Sequence, residues 1–244
     1  MNKITLKNIT KKYHTLSKEI IALDNISLNI KDKEITSIIG PSGCGKSTIL
    51  NIISGLDKYY LGTVKSNDKL VIGYMMQTDN LLPWLTVYEN AILGLKIKKI
   101  NNKENIKYVD NLLKKYDLYD FKNQYPNNLS GGMRQRLSLI RTLAIKPNIL
   151  LLDEPLSKLD INSKAKTLDD IYKIIKDLNI TTILITHDIT EAVTISNNII
   201  VLTKRPGKIK KSYILKNNNL LPSMKRNENY YIRIIQNIWR DIYE

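Results

Sequence analysis

The sequence predicts an α/β fold in which a parallel-sheet core follows a β-rich start and is interrupted by a helical insert. Three observations predict it. First, apolar runs of strand length recur at "EITSIIG", "NILLLD" and "TTILITH", with an amphipathic helix pattern between the last two. Strand, helix, strand at this spacing is a βαβ unit, which implies a parallel, buried pair. Second, "ITLKNI" and "ISLNI" near the start alternate apolar and polar residues, as half-exposed strands do. Third, between 78 and 146 the apolar residues fall three and four apart, the spacing of a helix face.

In chain order, "ITLKNI" and "ISLNI" are strands, and "TKKYHTLSKEIIALD" between them reads as a loop with another short strand. "EITSIIG" (34–40) is more continuously apolar than these and reads as a buried strand that runs straight into "GPSGCGKST". "KSTILNIISGL" follows with helical spacing; "TVKS" and "LVIGYMMQ" (70–77) are two more strands. "TVYENAILGLKI", "NKENIKYVDNLLKKYDL" and "GGMRQRLSLIRTLAIK" are the helices of the insert, and Pro147 blocks further helix. Strands return at "NILLLD" (148–153), "TTILITH" (181–187), "NIIVLT" and "KIKKSYIL", with "SKAKTLDDIYKIIKDL" as the helix between the first two. "NYYIRIIQNIWRDIYE" closes as a helix, expected to pack on the core through Tyr230, Tyr231, Ile234, Ile235 and Trp239. No internal repeat, low-complexity tract or domain-length linker interrupts the chain.

Composition bounds the function. A chain of 244 residues with 43% hydrophobic and 25% charged residues has enough apolar content for a proper core. It contains no run of eighteen apolar residues, so no membrane span is expected, and "MNKITLKNIT" lacks the features of a signal peptide. Cys44 is the only cysteine and has no internal disulfide partner. The net charge of +15 has two readings: an anionic partner, or a composition that places Lys wherever a solvated residue will do. Without a dense basic block or interleaved aromatics, no nucleic-acid partner is expected.

The chemistry begins at "GPSGCGKST" (40–48), which fits G-x-x-x-x-G-K-[ST] after a strand and at a helix start. Gly40, Gly43 and Gly45 let the backbone wrap a β-phosphate, Lys46 reaches the β- and γ-phosphates, and Ser47 offers its hydroxyl to Mg²⁺. The whole loop, Pro41, Ser42, Cys44 and Thr48 included, is the expected ATP cradle; Cys44 contributes backbone. "ILLLDEP" (149–155) brings Asp153 to a strand's C-terminal end, where it can hold Mg²⁺. Glu154, the next residue, is the candidate base for an attacking water. His187 ends the neighbouring strand. It is either a capping or core histidine, or a group that contacts the γ-phosphate or orients Glu154.

One stretch is left over. "LSGGMRQRLSLIRTLA" (129–144) opens a helix on Ser-Gly-Gly, and unpaired first-turn N–H groups there suit an anion. A chain with one phosphate loop has no evident need of a second such site. "LSGGMRQR" shortly before "LLLDEP" resembles the signature of ABC-type ATPases. The order phosphate loop, Gln77, LSGGMRQR, LLLDEP, "SKLD", His187 is similar to that family along nearly the whole chain.

The resemblance implies a P-loop NTPase: a RecA-like α/β core with an antiparallel β subdomain and an inserted helical ABC subdomain. Here that would be one domain, 1–244, with the β subdomain and core at 1–77 and 147–220, the helical subdomain at about 78–146 and a C-terminal helix at about 225–242. It implies a head-to-tail dimer, homodimeric or with a paralogous ATPase subunit, in which Ser130, Gly131 and Gly132 contact ATP held by the partner. Tyr13 resembles the aromatic that stacks on adenine, with a plain β-surface tyrosine as the alternative. Gln77 resembles the glutamine that senses Mg²⁺ and the lytic water. Leu82, Pro83 and Trp84 lie where a membrane permease subunit would dock, or else pack within the insert. "SKLD" departs from the family, which usually has a small residue at Lys158; Asp160 is retained. A long cation there either perturbs dimer closure or finds a phosphate.

Of the competing readings, LSGGMRQR argues against a non-ABC P-loop kinase. A single cassette with a short helical insert argues against soluble ABC ATPases acting on DNA or the ribosome. The expected protein is therefore an importer ATPase, with an exporter subunit as alternative. It would sit peripherally on the cytoplasmic face of the membrane, coupled to separate permease subunits and indirectly to an extracytoplasmic solute-binding protein. "LLPWLTVYENAILGL" and "VLTKRPGKI" look most like the nitrate/sulfonate/taurine subgroup, whose members also include thiamine-precursor importers. The final helix is too short for the extra regulatory domain that some importers of the family append, so none is expected in it.

Overall fold

Two sheets share the chain in the computed structural model, which describes residues 2–14, 18–216, 218 and 220–243, with 161 and 162 described by backbone alone. The elements run β1 (Asn2–His14), β2 (Glu19–Lys31), β3 (Ile35–Ile39), α1 (Lys46–Ser54), β4 (Leu61–Ser66) and β5 (Ile72–Met75). The insert follows as α2 (Val87–Ile97), α3 (Lys103–Lys115) and α4 (Gly131–Leu143). Then come β6 (Ile149–Asp153), α5 (Ile161–Leu178), β7 (Thr181–Ile185), α6 (Ile189–Ile195), β8 (Asn198–Leu202), β9 (Ile209–Ile214), α7 (Pro222–Lys225) and α8 (Asn229–Tyr243).

The small sheet is antiparallel, in the order β2-β1-β4. The expected loop at "TKKYH" is instead the second half of β1, with Tyr13 opposite Ile20 and His14 opposite Glu19. Register shifts between Leu6 and Ile9, Ile9 and Lys11, and Lys11 and Lys12 break the alternation there. A bulged strand loses the period of two by which strands are read.

The larger sheet has the order β5-β6-β7-β3-β8-β9, parallel except for β9, which runs antiparallel to β8. Every residue of β3, β6 and β7 is buried, which explains sequences rich in Ile and Leu on both faces. Parallel strands present their C-terminal ends along one edge, the usual ligand edge of such a sheet. Here that edge carries the phosphate loop after β3, Asp153 at the end of β6, His187 beyond β7 and Gln77 beyond β5.

The helices of the insert pack into one cluster with Leu150 and Leu152 of β6 and Ile171 and Ile175 of α5. Val87, Ala91 and Leu95 of α2, Val109 and Leu113 of α3, and Leu137 and Ile140 of α4 share one buried cluster. Its helices start on capping side chains. Thr86 and Glu89 form a reciprocal capping box, Asn102 accepts from the Asn105 N–H, and Ser130 accepts from the Met133 N–H. The helix α6 was not expected: five of its seven residues are β-branched, an unfavourable helix composition. Its N-cap Asp188 compensates by accepting from the Glu191 N–H at 3.1 Å.

At the C-terminus, Tyr231 and Ile238 are buried, and Tyr230, Ile234, Ile235 and Ile242 pack beside them. The expectation for Trp239 is corrected: it is 52% exposed and lies against Tyr243, ring centroids 5.2 Å apart. It follows Ile238 by one residue, about 100° around the helix from the buried face. Beneath α8, Lys225 is buried with its ammonium 4.9 Å from the Tyr172 ring centroid and 5.7 Å from that of Tyr231. Burial, first, and nearby Lys176 push its pKa down to about 8 from an ordinary 10.5, against a weaker pull from Glu228. Between those values the unfolded chain binds the extra proton, so stability rises with pH through that window. Lys225→Met is therefore expected to raise stability at pH 7 by about 1–3 kcal/mol, with the gain shrinking towards pH 10. Denaturant unfolding at both pH values checks it.

Candidate phosphate-loop site and its companion cavity

The loop between β3 and α1 is possible only with glycine at its last turn. Gly45 has φ +100°, and a Cβ there would meet Leu23 Cδ2 at 2.6 Å and the Ala22 carbonyl at 2.9 Å. Lys46 then starts α1 with its ammonium buried, donating to the carbonyls of Gly40 at 2.8 Å and Pro41 at 3.0 Å. The Cys44 side chain points into the apolar core with Leu23 and Ile49, and burial pushes its thiol up, away from reactive thiolate. Only its backbone belongs to the loop surface.

In front of the loop lies a cavity of about 720 Å³. Tyr13, Ser42, Gly43, Gly45, Lys46, Ser47, Thr48, Gln77, Glu154 and His187 line it, all predicted from sequence. Gly40, Pro41 and Cys44 lie outside that lining; Gly40 and Pro41 hold Lys46 from below. Ile20, Ala22 and Arg205 also line the cavity and were missed. Tyr13 is held at its hydroxyl, 3.4 Å from Thr48 Oγ1 and 3.3 Å from Asp57 Oδ2. The Lys11 ammonium, itself bonded to Asp57, stands 4.7 Å over the Tyr13 ring.

Asp153 is buried at the end of β6, 3.5 Å from the Tyr74 hydroxyl. Burial pushes its carboxyl up; Glu154 adds to this, while Ser47, Tyr74 and Lys46 pull it back. Glu154 adopts φ +46°, a conformation unusual outside glycine, with its N–H bonded to the Ile185 carbonyl across the strand gap at 2.8 Å. Its Oε2 accepts from Gln77 Nε2 at 3.0 Å and lies 3.3 Å from His187 Nδ1. The three predicted catalytic side chains thus meet at one carboxylate oxygen, facing the phosphate loop.

The donor set suits Mg²⁺. Ser47 and Asp153 supply hard oxygens, and among the described residues no group of three or more His, Cys, Asp or Glu could hold an ion alone. Mg²⁺ typically takes one or two protein ligands and completes its shell with water and substrate phosphates. The Gln77 amide nitrogen is committed to Glu154, which leaves its oxygen as the end available to a metal.

Ser130, Gly131 and Gly132 line a separate cavity of about 700 Å³ together with Lys158, Asp160 and the cations Arg134, Arg136 and Lys166. The two cavities share no lining residue.

The chain matches the family described as ABC transporter over residues 23–157. It belongs to the ABC transporter family. Its relatives include the aliphatic sulfonates import ATP-binding protein SsuB of Bacillus subtilis, 43% identical, the match covering 78% of this chain and 75% of that protein. The nitrate transport protein NasD of Klebsiella oxytoca is 34% identical, with 84% and 81% covered. The solved dimeric structure of the ATP-binding cassette MJ0796 in a post-hydrolysis state with ADP and Pi is 37% identical. It superimposes with a TM-score of 0.74 over 88% of this chain and all of that one.

In this ABC cassette, α4 ties the two cavities together. The Gln135 amide donates to the Pro155 carbonyl, next to Glu154. Ser138 Oγ donates to the Asp79 carbonyl at 3.2 Å, Arg141 to the carbonyls of Asp79 and Asn80, and Arg134 pairs with Asp79 at 3.4 Å. The segment after Gln77 is thus pinned by the helix that begins at Ser130. Further on, the Asn90 amide locks the half-buried Leu82 and leaves Pro83 and Trp84 exposed, Trp84 by 68%. Among the described residues no helix is long and apolar enough to cross a membrane.

Removing the Arg141 clamp frees the segment that carries Gln77. Arg141→Ala is expected to slow ATP turnover about tenfold or more, since small misplacements of positioning groups are costly. Hydrogen exchange should quicken over 78–86. Turnover at the wild-type rate with unchanged exchange would rule out the clamp.

Proposed function

We propose that the chain is the ATP-hydrolysing subunit of an ABC importer, paired with a second copy or a close paralogue on the cytoplasmic face of the membrane. The observation that carries this reading is the meeting of Gln77 and His187 on the Glu154 carboxylate, one residue past Asp153 and facing the phosphate loop. The proposed division follows the same logic. Residues 1–77 and 147–220 form the β subdomain and RecA-like core, about 78–146 the helical subdomain, and about 225–242 the closing helix.

The triphosphate of ATP lies along the N–H groups of Gly43, Gly45 and Lys46. The Lys46 ammonium exchanges its contacts with Gly40 and Pro41 for β- and γ-phosphate oxygens. Tyr13 takes the adenine on its exposed side, its ring fixed by Asp57, Thr48 and Lys11. Ser47, Asp153 and the Gln77 oxygen hold Mg²⁺, which when bound neutralises charge on the phosphate oxygens. Glu154 accepts a proton as water bonds to the γ-phosphorus and the bond to the β–γ bridging oxygen breaks. His187 and Gln77 aim the carboxylate; they position the base.

The second cavity explains the pairing. Ser130, Gly131 and Gly132 complete the site of the other subunit, where the start of α4 reaches a γ-phosphate only while one is bound. Lys158 and Asp160 border the same surface. Closure and release then drive the membrane partner, with Pro83, Trp84 and the apolar cleft walled by Met76, Leu93, Ile97 and Ile145 as its docking surface. SsuB and NasD, together with the stretches around Trp84 and Arg205, favour a sulfonate- or nitrate-type cargo, delivered by an extracytoplasmic binding protein.

Glu154→Gln should bind ATP, accumulate as a closed dimer in size-exclusion chromatography, and lose turnover by about 10²-fold or more. Hydrolysis at the wild-type rate would remove the base assignment. Ser130→Arg should keep ATP binding by the monomer and abolish ATP-driven dimerisation in the Glu154→Gln background; a dimer that still forms would detach this cavity from the partner's nucleotide.

A further inference from the structure

"VLTKRPGKI" enters the proposed mechanism only as a mark of subgroup. In the structure it is the turn from β8 to β9, and it is built onto the phosphate loop. The Gly207 N–H donates to the Ala22 carbonyl at 3.0 Å, and its own carbonyl accepts from the Asp24 N–H at 3.0 Å. A Cβ on Gly207 would lie 2.1 Å from the Cys44 carbonyl oxygen, so only glycine lets the turn sit this close to the loop backbone. The turn is also closed on itself. The Thr203 and Lys208 backbones bond at 2.9 Å, and the Thr203 hydroxyl accepts from the Lys208 N–H at 3.0 Å.

This support presents Arg205 to the cavity. One guanidinium nitrogen stands 3.3 Å from where a Cβ of Gly43 would be, and Arg205 lines the cavity alongside Ser42, Gly43 and Lys46. No carboxylate pairs with it among the described residues; the nearby Asp24 is taken by Lys208 at 2.9 Å. Lys46 and Arg205 are the lysine and arginine of this lining, and the Lys46 ammonium is buried on loop carbonyls. An unpaired, always-charged fork held beside phosphate-binding N–H groups suits an anion with several oxygens.

We propose that Arg205 is a phosphate-binding residue of the nucleotide site, a second cation that grips the phosphate chain from the β8–β9 turn. The proposal rests on the cavity being the ATP site. In the full-length chain, affinities for MgATP, MgADP and AMP are measured by calorimetry at low and at physiological salt, for the wild type, Arg205→Ala, Arg205→Lys and Lys46→Ala. Arg205→Ala is expected to weaken MgATP about tenfold, MgADP less and AMP by under about twofold, with unchanged Tm. The loss should shrink with added salt, and Arg205→Lys should recover part of it. Equal losses for all three nucleotides with a lowered Tm would make Arg205 a structural residue of the turn and overturn the proposal. So would unchanged MgATP affinity in Arg205→Ala. If Lys46→Ala abolishes binding in that case, only the role of Arg205 falls. If Lys46→Ala also binds normally, the nucleotide-site assignment falls with it.

Discussion

The site depends on a backbone hydrogen bond between neighbouring parallel strands, from the Glu154 N–H to the Ile185 carbonyl. It holds Glu154 in a left-handed conformation that costs a non-glycine residue on the order of 1–2 kcal/mol. The Ser157 N–H and hydroxyl, both bonded to the Glu154 carbonyl, secure the other side of the residue. With the turn fixed, the strand order β5-β6-β7 does the rest: Gln77, Glu154 and His187 leave three adjacent strand ends and meet at one oxygen. A one-residue slip in any of these ladders would send the side chains to opposite faces. The fully buried strands β6 and β7 resist such a slip only through the whole packed core, so the geometry around Glu154 is a property of the sheet.

Much of this was legible in the sequence because it follows from local pattern. Buried strands read as apolar runs, the insert read as helical spacing, and the phosphate loop read from three glycines, a lysine and a serine between a strand and a helix. What failed to read had non-local causes. The second half of β1 is disguised by bulges that only its partners explain. The helix α6 rests on Asp188 as a cap and on burial against its neighbours, in place of propensity. Trp239 looked like an anchor by size, yet the helix phase set by Tyr231 and Ile238 turns it outward. Arg205, Ile20 and Ala22 reach the cavity from a hairpin turn and an edge strand far away in sequence, and no spacing rule connects them to Gly43.

The excess of positive charge divides along both readings the sequence left open. Much of it is spread over aromatic faces on the surface. Lys114 and Lys122 lie over Tyr119, Lys146 over Tyr108, and Lys211 over Tyr213, arrangements worth little individually when solvated. Another part is gathered at cavities. Lys158 and Lys166 border the Ser130 cavity, and Arg205 borders the phosphate loop. A Lys-rich composition supplies the first group; only position in the fold distinguishes the second.

The grip of α4 has a mechanical consequence. The helix is thirteen residues, about 20 Å from end to end. Its first turn opens at the Ser130 cavity, its second turn holds Pro155 beside Glu154 through Gln135, and its last two turns hold Asp79 and Asn80 behind Gln77. It is a stiff lever whose middle contact is the Pro155 carbonyl, one residue past Glu154. A tilt of about 3° displaces one end relative to the other by about 1 Å over that length, enough to spoil a hydrogen bond. One rigid helix therefore links the Ser130 cavity, Pro155 and the segment behind Gln77, so a shift at any of the three is felt at the other two.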